Sequence, residues 1–276
     1  MFAWVILAGC GGANQPSHNG AVYEVPVGPP QALAAGEAFY IPGEQMSWEV
    51  SLHGILGGEA ALATGHPGKL DGRNAIVVRS QVRSAGVVEM IRKVNDDVTT
   101  WIDFGTGKPI RHLASLQFGD KFSRVETVFS DDGYVMDYQR RGRTSYKRAQ
   151  NVPNAATHDG HSIIGALRGW APEVGQRAYF YVVSGRTLWL NDIGLVARET
   201  IKTRMGTHPA LRIEGIASRV TGTLEIDRRK KPRTYTVWIS DDASRVPLLV
   251  EAHTEYGNVR VELVQYERPD RHIVSR

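Results

Sequence analysis

The alternation of apolar and polar residues that begins at Glu44 constrains this chain more than any other feature. Met46, Trp48, Val50 and Leu52 fall on one side, with Ser47, Glu49, Ser51 and His53 on the other. Successive strand side chains point to opposite faces, so this is a half-buried strand and not a helix. Gly57-Gly58 punctuates it, and Ala60 and Leu62 continue in a second strand. Similar runs follow at 74–82, 87–94, 98–104, 110–118, 122–129 and 134–139. The turn residues between them include Asn95-Asp96-Asp97, Gly105-Thr106-Gly107, Gly119-Asp120 and Asp131-Asp132-Gly133. Asp-Gly between alternating segments signals a hairpin, because a primed turn needs positive φ at both central positions.

The series breaks once. Ile163, Ile164, Leu167 and Trp170 share one face at helical spacing, Thr157 or Asp159 can cap the start, and Gly169 and Pro172 end it. This predicts one short helix near 158–169. Strand patterns resume at 176–183, 187–190, 195–204, 210–216, 222–226, 234–239, 247–253 and 259–266. No parallel βαβ alternation is visible. The expected fold is all-β, with about 14–18 antiparallel strands in one large twisted barrel or two joined half-barrels.

At 42% hydrophobic residues the chain can bury a full core. Its single cysteine, Cys10, excludes an internal disulfide framework and a thiolate metal cluster. A net charge of +4 is mild for a nucleic-acid binder and suits anionic partners better.

Cys10 closes Leu7-Ala8-Gly9-Cys10, which has the form of a bacterial lipobox, where a prolipoprotein is acylated on sulfur and cleaved before the cysteine. Phe2 to Ala8 supply the apolar run of a secretory signal, but no Lys or Arg precedes it. Residues 1–9 therefore read as a truncated signal peptide. Residues 10–43, rich in Gly, Ala and Pro, read as a lipidated tether with an r.m.s. span of roughly 30 Å. Part of it is expected to pack on the domain, since Tyr23, Val25 and Val27 alternate. The β-rich domain is placed at 44–267 and a tail at 268–276.

Three blocks together resemble the family catalogued as domain of unknown function 3108. The first is Gly43-Glu44, then Trp48, then the small-residue turn 54–60. The second is Asp159, Ser162 and Leu167-Arg168. The third is Trp238-Ile239-Ser240-Asp241-Asp242 followed by Arg245-Val246-Pro247. The resemblance covers roughly 43–267 and implies an exported, β-rich protein of Gram-negative type. It carries no catalytic residue to transfer.

Candidate chemistry is incomplete everywhere. Gly160-His161-Ser162-Ile163-Ile164 approaches a nucleophile elbow, but Ile164 stands where the tight turn needs a small residue. His158, Asp159 and His161 lack an identified further metal ligand. Gly105-Thr106-Gly107-Lys108-Pro109 has neither the spacing nor the hydroxyl of a phosphate loop. Asp242 and Arg245 read as fixing a tight turn ahead of Pro247. No catalytic residue, metal site or cofactor is expected.

Two basic runs stand out: Arg140, Arg141, Arg143, Lys147 and Arg148, and Arg228, Arg229, Lys230, Lys231 and Arg233. They are candidate contacts to an anionic surface. The plainer reading, favoured on sequence, is solvated hairpin ends where cations discourage edge pairing. The functional expectation is a non-enzymatic envelope lipoprotein on the periplasmic face of the outer membrane, binding an amphipathic or apolar ligand or an envelope partner. Its expected partners are the membrane through acyl chains, and a lipid, lipopolysaccharide or envelope protein, with no nucleic acid. The alternatives are an outer-membrane assembly factor acting through its surface, and a carboxylate-dependent polysaccharide hydrolase. A continuous apolar pocket favours a ligand container, and a filled interior favours the assembly factor.

Overall fold

Alternation in sequence becomes alternation in burial. Along β3 (Ile55–Thr64), Ala60, Leu62 and Thr64 are buried, whereas Glu59, Ala61 and Ala63 are exposed. The computed structural model describes residues 31–33, 39–91, 93–152, 157–254 and 257–269, so the expectations for Cys10 and residues 1–30 and 270–276 lie outside the described residues.

The remaining strands are β1 (Gln31–Ala32), β2 (Gln45–Leu52), β4 (Gly68–Leu70), β5 (Arg73–Ser84), β6 (Val94–Asp103), β7 (Pro109–Phe118), β8 (Lys121–Ser130) and β9 (Gly133–Arg140). After them come β10 (Tyr146–Asn151), β11 (Thr157–His158), β12 (Arg177–Ser184), β13 (Thr187–Thr203), β14 (Gly206–Arg219), β15 (Arg233–Ser240), β16 (Pro247–Thr254) and β17 (Gly257–Glu267). The helices are α1 (Gly86–Ile91) and α2 (Ser162–Gly169). All 17 strands join one sheet. The protein is all-β, as the pattern predicts.

Two antiparallel meanders make up that sheet. β12 to β17 pair in order, β17 pairs with β2, and β2, β3 and β5 to β10 continue. β1 and β11 pair in parallel with the outer edge of β12. Among the described residues no ladder joins β10 to β12, so the sheet curls without closing. Side chains bridge that seam. Gln150 Nε2 donates to Gly222 O at 2.9 Å, and Val152 packs with Val183, Leu188 and Val220.

Antiparallel registers decide which connections share an end. The β2–β3, β5–β6, β7–β8, β9–β10, β12–β13 and β14–β15 connections lie on one rim. The β6–β7, β8–β9, β13–β14 and β15–β16 connections lie on the opposite rim. Segment 157–170 crosses the interior between them.

Several local expectations change. The expected strand at 87–94 is largely helix α1: Gly86 at φ +58° ends β5, and Val87, Val88 and Ile91 sit at helical spacing. Asn95-Asp96-Asp97 is not a turn but part of β6, because its acids are engaged across strands. Asp96 Oδ1 accepts from Gln117 N at 3.0 Å and Asp97 Oδ1 from Gln81 Nε2 at 2.7 Å. The expected strand at 222–226 is a loop closed by one Val220–Ile226 bridge. The runs at 187–190 and 195–204 form one strand, β13, with an irregularity at Leu195/Ala197. The fold also begins before residue 44: Leu33 and Tyr40 are both buried in the core.

Candidate functional site

The three sequence blocks meet in the interior, near the rim of the β15–β16 connection. Arg168, on the last turn of α2, forms a bidentate pair with Glu44: Nη1 to Oε2 at 2.6 Å and Nη2 to Oε1 at 2.7 Å. Nη2 also donates to Ser244 O at 2.8 Å in the β15–β16 turn. Tyr266 on β17 donates to Glu44 Oε1 at 2.8 Å, and burial together with that carboxylate pushes its phenol up to about 12. Trp48, itself buried, donates from Nε1 to Pro247 O at 3.1 Å. One guanidinium thus ties the start of β2, the helix and the C-terminal hairpin together. Two chain segments 124 residues apart supply the ion pair.

The turn beneath it is built by Asp242. Its Oδ1 accepts from Ser240 Oγ at 2.9 Å, Ser244 N at 2.8 Å and Arg245 N at 3.2 Å, and Arg245 takes φ +46°. Gly43, at φ +79°, lets the chain turn into β2, and a Cβ there would lie 2.7 Å from Pro269 Cγ. Trp238 is only half-buried; its Nε1 donates to Glu199 Oε1 at 2.7 Å, outside the ion-paired centre.

A second polar cluster anchors the other end of the interior segment to β5, β6 and β7. Asp159 Oδ1 accepts from Ser162 N at 2.8 Å, capping α2. Its Oδ2 accepts from Thr100 Oγ1 and meets His112 Nδ1 at 2.8 Å. His161 Nδ1 lies 2.9 Å from Thr100 Oγ1, and its Nε2 lies 2.8 Å from Ser80 Oγ. Because the Thr100 proton goes to Asp159, Thr100 accepts from His161 Nδ1–H, and Ser80 donates to Nε2. This assigns His161 as the neutral Nδ1–H tautomer, consistent with burial holding its pKa well below the usual histidine range. Burial likewise lowers His158 to about 4. Asp159 is held below the carboxylate range: burial, the largest influence, opposes ionisation, but the hydrogen bonds from His112 and Thr100 and the nearby His112 and His161 rings together outweigh it.

None of these groups is presented to a substrate. His158, Asp159, His161 and Ser162 are all buried, and Ser162 Oγ is occupied by Asp159 N at 3.0 Å and His158 Nδ1 at 3.2 Å. Among the described residues no three His, Cys, Asp or Glu side chains gather as a metal site. A shallow cleft of about 380 Å³ opens beside the Glu44–Arg168 pair, with Phe39, Trp170, Asp241 and Arg245 in its walls. Asp241 offers no free carboxylate there, since Arg198 Nη1 holds both its oxygens at 2.7–2.8 Å.

The basic runs fall elsewhere. Arg140, Arg141 and Arg143 flank the β9–β10 turn, and Arg228, Arg229, Lys230, Lys231 and Arg233 span the β14–β15 connection. Sequence reasoning missed the Glu44–Arg168 pairing, and only the shared family blocks hinted that the two belong together.

With this arrangement in view, the chain belongs to the family described as protein of unknown function (DUF3108), whose model matches residues 45–264. No curated protein matches it. Its fold is similar to that of a β-barrel-like protein of domain of unknown function DUF1849 from Brucella abortus, at TM-score 0.55 and 11% identity over 83% of this chain and 98% of that one. Two further structures match less well. One, from Bacteroides fragilis, is described as exported with a YmcC-like fold (TM-score 0.38, 9% identity, covering 84% of this chain and 100% of that one). The other, from Parabacteroides distasonis, is described as a lipoprotein (TM-score 0.35, 9% identity, covering 84% and 99%). At these scores the last two add no argument.

Proposed function

We propose that this protein is a lipid-anchored component of the bacterial cell envelope that works through its outer surface, neither turning over a substrate nor enclosing a ligand. The observation that carries this reading is that, among the described residues, the interior of the sheet is occupied by protein. The space a ligand would occupy inside the curled sheet holds α2, the Glu44–Arg168 pair and the Asp159 cluster, packed among Trp48, Met46, Ile76 and Ile193. A β-container instead keeps a cavity of several hundred cubic ångströms lined by apolar groups. The polar groups that suggested chemistry are spent on one another. Anchorage is supported by Leu7-Ala8-Gly9-Cys10, and an outer-membrane destination by Gly11, which is not the Asp that retains many lipoproteins at the inner membrane.

Cells fed an alkyne fatty acid should label the wild-type chain and not Cys10→Ala. Absence of label in wild type, or label that survives the substitution, overturns the anchor. Native mass spectrometry of protein purified from membranes should show the mass of the acylated polypeptide with no further, non-covalently held lipid. A stoichiometric non-covalent lipid would restore the container reading.

A further inference from the structure

The curl of the sheet brings both basic runs to one rim and makes them neighbours across the seam. Arg148 Nη2 donates to Gln150 Oε1 at 2.7 Å, and Gln150 donates to Gly222 O in the connection that leads into the second run. The stretches 139–148 and 226–233 hold ten cations and one acid, Asp227, in a chain whose whole net charge is +4. The rest of the molecule is therefore net negative. Asp227 is buried and paired with Arg229 at 2.8 Å, while Arg141, Arg143, Lys147, Arg228, Lys230 and Lys231 form no ion pair with an acid among the described residues. The opposite rim mixes signs, with Asp71, Asp103, Asp241 and Asp242 set beside Lys69, Arg73, Lys108, Arg204 and Arg245 in or next to its connections. The excess of cations lies in the two basic stretches.

The same basic rim exposes apolar side chains. Phe122 is 44% exposed, and its carbonyl accepts from Arg141 N at 3.1 Å, so the two residues are neighbours along the backbone. Tyr146 and Ile226 lie inside the basic stretches at 44% and 50% exposure. Further round the rim, Ile55 and Met90 are exposed by 60% and 87%. Exposed aromatic and aliphatic residues set among Lys and Arg are the composition of a membrane-interface surface. A nucleic acid would meet the charges and stack on the rings, but it offers nothing to cover Ile55 or Met90.

We propose that this rim docks the domain on an anionic glycerophospholipid surface, with the cations against head-group phosphates and the apolar tips in the head-group layer. It deepens the surface-acting envelope reading and rests on that reading only for the presence of a membrane. Each cation close to an anionic bilayer multiplies affinity by roughly fivefold, over a range of about one screening length.

The test uses the full chain with Cys10→Ser, so that no acyl anchor contributes and a failure of lipidation is scored separately. Co-sedimentation with phosphatidylcholine vesicles should be weak. Adding phosphatidylglycerol should raise binding by roughly tenfold or more, and salt near ~1 M, where screening shortens to ~3 Å, should abolish the gain. The combined variant Arg141→Gln, Arg143→Gln, Lys230→Gln, Lys231→Gln should lose it. Phe122→Ser should weaken binding and leave its salt dependence unchanged. Lys69→Gln with Lys108→Gln, on the opposite rim, should change nothing. The proposal is overturned by equal binding to both vesicle types, by an unaltered rim variant, by equal loss in the opposite-rim control, or by tighter binding to a single-stranded oligonucleotide than to the vesicles. The substituted rim side chains are all exposed, and a circular dichroism spectrum matching wild type confirms that each variant is folded.

Discussion

Arg168 is accommodated at 2% exposure because Glu44 and Ser244 O satisfy its terminal nitrogens and the Phe39 ring lies 4.9 Å from the guanidinium carbon. Removing one member of such a pair strands the other in the core, so Arg168→Met should cost about 3–5 kcal/mol in urea denaturation. Glu44→Gln combined with Arg168→Met should cost less than the sum of the two single changes, because no lone charge is left behind. Asp96 is a different case, since burial raises its carboxyl from 3.8 to about 7. The folded state binds that proton more tightly than the unfolded chain. The stability it contributes is therefore full below about pH 4 and is lost as pH rises toward 7. Asp96→Asn keeps an acceptor for Gln117 N and should flatten that decline by on the order of 1 kcal/mol or more, read from urea midpoints across the window. The acidity of Asp96 was visible in sequence; its burial was not, because it depends on β7 lying alongside.

At the scale of elements, α2 acts as an internal strap. Its start is held by Asp159, Thr100, His112 and Ser80, and its end by Glu44 and Ser244. Gly165 lets it seat, since a Cβ there would lie 2.5–2.6 Å from the Tyr40 ring, whose hydroxyl donates to His161 O at 2.8 Å. Gly165→Ala should overpack this contact and cost about 1–3 kcal/mol, measured as a lowered melting midpoint. Thr100→Val removes the central link of the polar chain and leaves His161 and Asp159 each short of a partner. It should destabilise by about 1–3 kcal/mol with no change in overall β content by circular dichroism. The helix was legible from 163, 164, 167 and 170 because its apolar spacing is local. The strand-like runs at 87–94 and 222–226 misled because short apolar stretches suit either state, and Gly86 and the seam decided them.

Across the whole molecule, the sheet has a weak line where, among the described residues, β10 faces β12 with side chains and no ladder. Hydrogen exchange should be faster in β10 than in β14 to β16, which pair on both sides, and Gln150→Ala should widen the difference. Comparable protection in both would mean that the seam is as stable as a closed ladder. Period-two alternation and turn residues determined the fold class, the hairpins and most strand positions by themselves, because those preferences act between residues adjacent along the chain. Tertiary structure alone decided that no ladder closes the sheet among the described residues, that α2 lies inside it, that Glu44 meets Arg168, and that two basic runs some 85 residues apart in sequence share one rim. Those outcomes depend on curl and register summed over many strands, and no local stretch of sequence contains them.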